Sequence, residues 1–119
     1  CAQLLNGDGQ LHVDDPTAVR AFCYVDDAVE AIVRLMERAT NVTVNIGNPE
    51  QPVSMLGLMA RLRALAGQDG RAIVTGKAEG FPHVRRPDIG RLVALTGFQP
   101  TVPLKDGLAR TFAAYAGRR

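Results

Sequence analysis

Arg20-Ala21-Phe22-Cys23-Tyr24-Val25-Asp26-Asp27-Ala28-Val29-Glu30-Ala31-Ile32 changes period in its middle, and that change decides the fold. Arg20 to Val25 is a short run rich in aromatic and β-branched residues, which predicts a strand. Beyond it the apolar positions Val29, Ile32, Val33 and Met36 recur at helical spacing, with Arg34, Glu37 and Arg38 directed away from them. Asp27 stands where a helix needs an N-terminal acceptor, and Glu30 follows three residues on as its reciprocal partner. A strand that runs straight into an amphipathic helix is the unit of an α/β protein.

The pattern continues outward on both sides. Val42, Val44 and Ile46 alternate with Thr43 and Asn45, which predicts a strand ended by the turn Gly47-Asn48-Pro49-Glu50. Ser54 then caps a helix with Met55, Leu58, Met59, Leu62 and Leu65 as its stripe and Gly67 as its stop. Arg71 to Thr75 is a further strand, and Gly76 to Pro87 is a long loop of the kind that often carries function. Asp88 caps a short helix bearing Ile89, Leu92, Val93 and Leu95, closed by Gly97. Pro103 opens a last helix with Leu104, Leu108, Phe112 and Tyr115, weakened at Gly107. Upstream, Leu11-His12-Val13 is a short strand followed by the turn Asp14-Asp15-Pro16-Thr17. Cys1 to Leu5 reads as the last turn of a helix, stopped by Asn6-Gly7-Asp8-Gly9. A domain opening in the tail of a helix reads as a piece of something longer. The expectation is one small mixed α/β domain over residues 1–119.

Composition narrows the function. The 119 residues are 46% apolar, 22% charged and 5% aromatic, which suits one packed core and excludes disorder, collagen and a disulfide scaffold. The net charge of +2 is too small to argue for nucleic acid, and no basic stripe carries interleaved aromatics. The charge is unevenly placed, because residues 1–30 hold six acids against Arg20 alone. Cys1 and Cys23 form no metal-ligand spacing and suit a reduced, cytoplasmic chain. No apolar run has the length of a membrane span.

Candidate chemistry is scarce. Gly7-Asp8-Gly9 lacks the third glycine of a dinucleotide turn, and Tyr24 has no lysine four residues later. His12 and His83 are isolated, and Met55 and Met59 belong to a core. For Asp26-Asp27, capping explains more than paired-carboxylate catalysis. Arg20 at a strand start, Asn45 and Asn48 at a strand end, and Arg85-Arg86 with Lys77 in the long loop remain. Guanidinium forks match phosphate oxygens. Points from three segments either grip a small anion such as a diphosphate or are solvated surface charges.

The whole string resembles one family. Residues 20–32 are similar to the R-x-F-x-Y-V-D-D-x-V-x-A-I segment of the extended short-chain dehydrogenase/reductases. Val44-Asn45-Ile46-Gly47-Asn48-Pro49-Glu50 resembles that family's V-N-I/L-G-N-P-E turn. Arg85-Arg86-Pro87-Asp88-Ile89 with Leu95-Thr96-Gly97-Phe98-Gln99-Pro100, and then residues 104–111, resemble its R-R-P-D-I…L-G-W-x-P and L-x-x-G-L-x-x-T segments. The match runs in order from about Gln3 to Tyr115, and within the family it most resembles UDP-glucuronate decarboxylases. Sugar-nucleotide 4,6-dehydratases and 4-epimerases are the near alternatives.

The resemblance implies the C-terminal substrate-binding lobe of a Rossmann-type, NAD-dependent sugar-nucleotide enzyme, without its dinucleotide-binding half. It implies a UDP- or dTDP-sugar as ligand, with Arg20 on the diphosphate, Asn45 and Asn48 beside the nucleotide, and Arg85, with Arg86 next to it, towards the sugar carboxylate. NAD and the Tyr-xxx-Lys pair would come from outside this chain, which is then inactive alone. A homo-oligomer or a cofactor lobe would cover the face so exposed. Two departures stand out: Leu11 to Arg20 is one residue shorter than the family pattern, and Gly80-Phe81-Pro82 replaces its acid-acid-Pro. The competing expectation is a standalone interaction or oligomerisation module that keeps the fold without the ligand.

Overall fold

The computed structural model describes residues 1–6, 11–38, 41–68, 72–74, 76 and 83–117. Five helices and five short strands follow one another as α1 (Ala2–Asn6), β1 (Leu11–Val13), β2 (Val19–Arg20), α2 (Val25–Arg38), β3 (Val53–Ser54), α3 (Met55–Ala66), β4 (Ala72–Val74), β5 (Val84–Arg85), α4 (Gly90–Thr96) and α5 (Leu104–Ala116). The expected glycine stop after the first helix falls on residues 7–10, outside the described residues, as do Lys77 and the Gly80-Phe81-Pro82 departure.

The strands form two small sheets. β1 pairs in parallel with β4, while β2 is central in the other sheet, antiparallel to β3 and parallel to β5. The β2–β5 ladder places Arg20 opposite Arg85, with Val19 N donating to His83 O at 2.8 Å and Ala21 N to Arg85 O at 3.2 Å. The long loop expected over 76–87 therefore ends in a strand. The turn before β2 is built by Asp15, whose Oδ1 accepts from Thr17 N, Thr17 Oγ1 and Ala18 N.

The core is in two parts. Leu4, Leu11, Val13, Val53, Leu58, Met59, Leu62 and Leu104 form one cluster, against which Cys1, Met55, Leu108 and Phe112 pack. Ala31, Ile89, Leu92 and Phe98 form the second, with Leu35, Val44, Ile46 and Val93 beside them. α3 was the most legible element: Ser54 Oγ accepts from Gly57 N at 3.0 Å, and Gly67 closes the helix at φ 62°. α4 closes in the same way at Gly97, φ 66°. Asp88 Oδ1 accepts from Gly90 N at 2.8 Å at its start.

Four sequence expectations are corrected. The strand expected over 20–25 is only Val19–Arg20, because Tyr24 O already accepts the first helical bond from Ala28 N. The helix thus begins at Val25, and Asp27 sits inside its first turn and does not cap it. Only 2% exposed, Asp27 instead accepts from Thr101 N and Oγ1 on one oxygen and from Val102 N on the other, at 3.0–3.1 Å. The apolar stripe of α2 does not face the core: Val25, Val29, Ile32, Val33 and Met36 are exposed, Met36 to 79%. Ala31 and Leu35 on the other side meet the second cluster, so the helix has apolar residues on two faces. Residues 42–46 keep the expected alternation, with Val44 and Ile46 inward and Asn45 outward, but join no ladder among the described residues.

Candidate functional site: an arginine-lined cleft

Three chain segments meet at a cleft of about 750 Å³, lined by residues 20–23, 45–47 and 84–88. Parallel neighbours lie about 4.8 Å apart and residues in register share a sheet face, so Arg20 and Arg85 stand abreast. Arg20 is half-buried, and its Nη1 donates to Val19 O at 2.8 Å and His83 O at 3.1 Å, which fixes the guanidinium at the cleft wall. Arg85 and Arg86 are exposed. Asn45 lines the same cleft, its Nδ2 donating to Asp88 O at 3.0 Å.

Four of the five residues singled out from sequence are thereby brought together. Asn48 is not. It is buried, its Oδ1 accepts from Glu50 N at 3.0 Å, and it shapes the turn without lining the cleft. Sequence reasoning missed Phe22, Cys23, Gly47, Pro87 and Asp88, which also line the cleft. Gly47 and Pro87 lay within the quoted motifs, yet only their proximity in space marks them.

Burial first, and then the Asp27 carboxylate, push the Cys23 thiol up. It stays protonated near neutrality, with Sγ directed to Tyr24 O at 3.5 Å, so it offers no thiolate nucleophile. The lining holds three guanidiniums, an amide, a thiol and one carboxylate, Asp88, whose Oδ1 is engaged by Gly90 N. With cations outnumbering the acid three to one and no histidine, it is equipped to hold an anion more than to move a proton. Among the described residues no group of three His, Cys, Asp or Glu side chains is placed to hold a metal ion. No helix of the described residues is long and apolar enough to cross a membrane.

The architecture is that of the extended short-chain dehydrogenase/reductases. UDP-glucose 4-epimerase from Thermotoga maritima, solved with UDP-glucose, superposes at TM-score 0.86 and 26% identity, over 98% of this chain and 37% of its own. UDP-glucuronic acid 4-epimerase from Bacillus cereus, solved with UDP-glucuronic acid and NAD, superposes at 0.81 and 25% identity, over 99% and 38%. Residues 1–47 match the model of the NAD dependent epimerase/dehydratase family. The chain is 34% identical over 109 residues to UDP-glucuronic acid decarboxylase 1 of Xenopus tropicalis, 92% of this chain and 26% of that protein. It is 37% identical over 108 residues to UDP-glucuronic acid decarboxylase 6 of Arabidopsis thaliana, 90% of this chain and 31% of that one. The chain is a relative of the NAD-dependent epimerase/dehydratase family and resembles its UDP-glucuronic acid decarboxylases. It spans roughly a quarter to a third of those curated relatives.

Proposed function

We propose that this chain is a substrate-binding lobe for a nucleoside-diphosphate sugar, a UDP- or dTDP-sugar, within an NAD-dependent epimerase, dehydratase or decarboxylase. One observation carries the reading: Arg20 and Arg85 stand abreast in register, with Arg86 and Asn45 on the same cleft. Guanidinium forks match the oxygens of phosphate and carboxylate, and this placement puts two of them within reach of one ligand. Arg20 grips the diphosphate and Arg85 faces the sugar carboxylate of UDP-glucuronate. Titration of the chain with UDP and with UDP-glucuronate, followed by NMR, tests this. Shifts at Arg20 and Arg85 are expected, and a spectrum unmoved by either ligand overturns the reading.

NAD does not fit the residues described. A dinucleotide turn needs glycines between a strand and the helix that follows it. The described strand-to-helix junctions, 21–24 from β2 to α2, Ser54–Met55 from β3 to α3 and 86–89 from β5 to α4, hold none. Hydride chemistry is therefore not assigned to these residues. The pure chain with NAD and UDP-glucuronate is expected to form no NADH, and an absorbance rise at about 340 nm sinks the lobe reading.

The α2 face supports the partner half of the proposal. Five exposed apolar side chains in one stripe of α2 are the surface that a cofactor lobe or a second copy covers. The same face is what favours the second reading, a ligand-free oligomerisation module. Association is expected in sedimentation at ~100 µM, a concentration that populates even micromolar complexes. Ile32→Asp should return it to monomer, and a clean wild-type monomer removes the self-association.

A further inference from the structure

We infer that Asn45 and Gly47 are positioning residues that hold the arginine-bearing loop 85–88 at the cleft, Asn45 by a polar strut and Gly47 by leaving room for a ring. The inference rests on the cleft being the anion site and assigns Asn45 a task other than touching the ligand.

The loop is fixed at both ends. Upstream, Arg85 O accepts from Ala21 N, which ties the loop to β2. Downstream, Asp88 O accepts from Asn45 Nδ2, and Asp88 Oδ1 accepts from Gly90 N at the start of α4. Between them lie Arg86 and Pro87, and a residue before proline is confined to extended backbone. The position of Arg86 therefore depends on where the Pro87 ring rests. It rests on Gly47, where a Cβ would stand 2.6 Å from Pro87 Cγ and 3.3 Å from Cβ.

Gly47 is not among the residues at positive φ, so its backbone suits any residue and the ring alone excludes a side chain. A proline ring cannot rotate out of the way as a long side chain does. Alanine at this position must displace the loop, and Arg85 and Arg86 move with it. Asn45 has one amide and spends a hydrogen of it on Asp88 O, which is the second hold on the same turn.

Two double-mutant cycles on the 119-residue chain separate positioning from direct contact, with UDP-glucuronate as the probe because it carries the carboxylate that Arg85 faces. Gly47→Ala is expected to weaken UDP-glucuronate about tenfold, the equivalent of one displaced charge-assisted contact. In a Pro87→Ala background the same change should cost less than about twofold, because the obstructing Cγ is gone. Asn45→Ala should weaken UDP-glucuronate roughly fivefold in wild type but under about twofold once Arg85 and Arg86 are both alanine. Equal losses in both backgrounds overturn the inference, since Gly47 then acts elsewhere and Asn45 touches the ligand itself. The free protein gives a readout that needs no ligand: Asn45→Ala and Gly47→Ala must shift the Arg85 and Arg86 backbone amides. Amides that stay in place overturn the positioning roles. Wild-type chain that ignores UDP-glucuronate while those amides do shift overturns the anion-site reading and leaves the loop geometry standing.

Discussion

Arg20→Ala is expected to weaken UDP and UDP-glucuronate alike, by roughly ten- to a hundredfold, the worth of one charge-assisted contact of about 1.5–3 kcal/mol. Both ligands carry the diphosphate, so both should lose the same contact. Arg85→Ala should weaken UDP-glucuronate by a similar factor and leave UDP within about threefold, because only the acid sugar presents a carboxylate. Neither replacement should unfold the chain. Arg85 is exposed, and Arg20 is half-buried with bonds to Val19 O and His83 O among those given up, about 1 kcal/mol of net stability. Calorimetric titration of both variants with both ligands reads the result as ratios. The register pairing of the two arginines makes a definite alternative visible. Equal losses for the two ligands in Arg85→Ala would put both guanidiniums on the diphosphate and remove the carboxylate assignment.

Asp27→Ala is expected to destabilise the fold by about 2–4 kcal/mol, measured by urea unfolding. The change strands three donors, Thr101 N, Thr101 Oγ1 and Val102 N, in a place where Asp27 itself is 2% exposed. A loss under about 0.5 kcal/mol would show that water replaces the carboxylate without penalty. The same clamp predicts a pH response. Burial pushes the Asp27 carboxyl up, but the bonds from Val102 and Thr101 and the Arg110 charge outweigh it and hold the group below its ordinary 3.8. A carboxyl depressed in the folded state contributes fully above that ordinary value, and the contribution disappears as acid carries the solution down through the folded value. Wild-type stability should therefore fall on acidification below about pH 4, more steeply than that of Asp27→Ala.

The contrast between Asp27 and Ser54 shows what the amino-acid string reveals. Ser54 caps a helix three residues away, Gly67 stops it, and both signals are local, so α3 could be read whole. Asp27 carries an equally good local signal, with Glu30 behind it, yet its partners lie 74 and 75 residues away. A carboxylate close to a helix start looks the same from either side. Glu30 is instead paired with Arg34 along the helix. The α2 stripe makes the matching point about burial: period 3.6 locates an apolar face and says nothing of what covers it. The alternation in 42–46 was read correctly, but a strand needs a neighbour, and pairing is a property of distant residues.

The cleft was legible residue by residue, though not in its geometry. Arg20, Asn45, Arg85 and Arg86 were singled out by chemical type and by resemblance, and the fold gathers all four. Asn48 shared the motif and went into the turn instead, because an amide one residue from a proline readily bonds the backbone two positions on. Gly47 was quoted only as part of a turn. Its contact with Pro87 spans forty residues of chain, a distance over which spacing rules are silent.

The two-part core has a consequence for how the molecule holds together. Arg20 extends from the sheet in which β3 contributes Val53 to the first cluster. Asn45 and Gly47 flank Ile46, which packs on the second. The cleft is thus a seam, and the anion proposed for it would bridge two cores that the Asp27 clamp also ties together. Ligand then acts as mortar as well as cargo. Its concentration becomes one of the terms setting how firmly the two halves cohere.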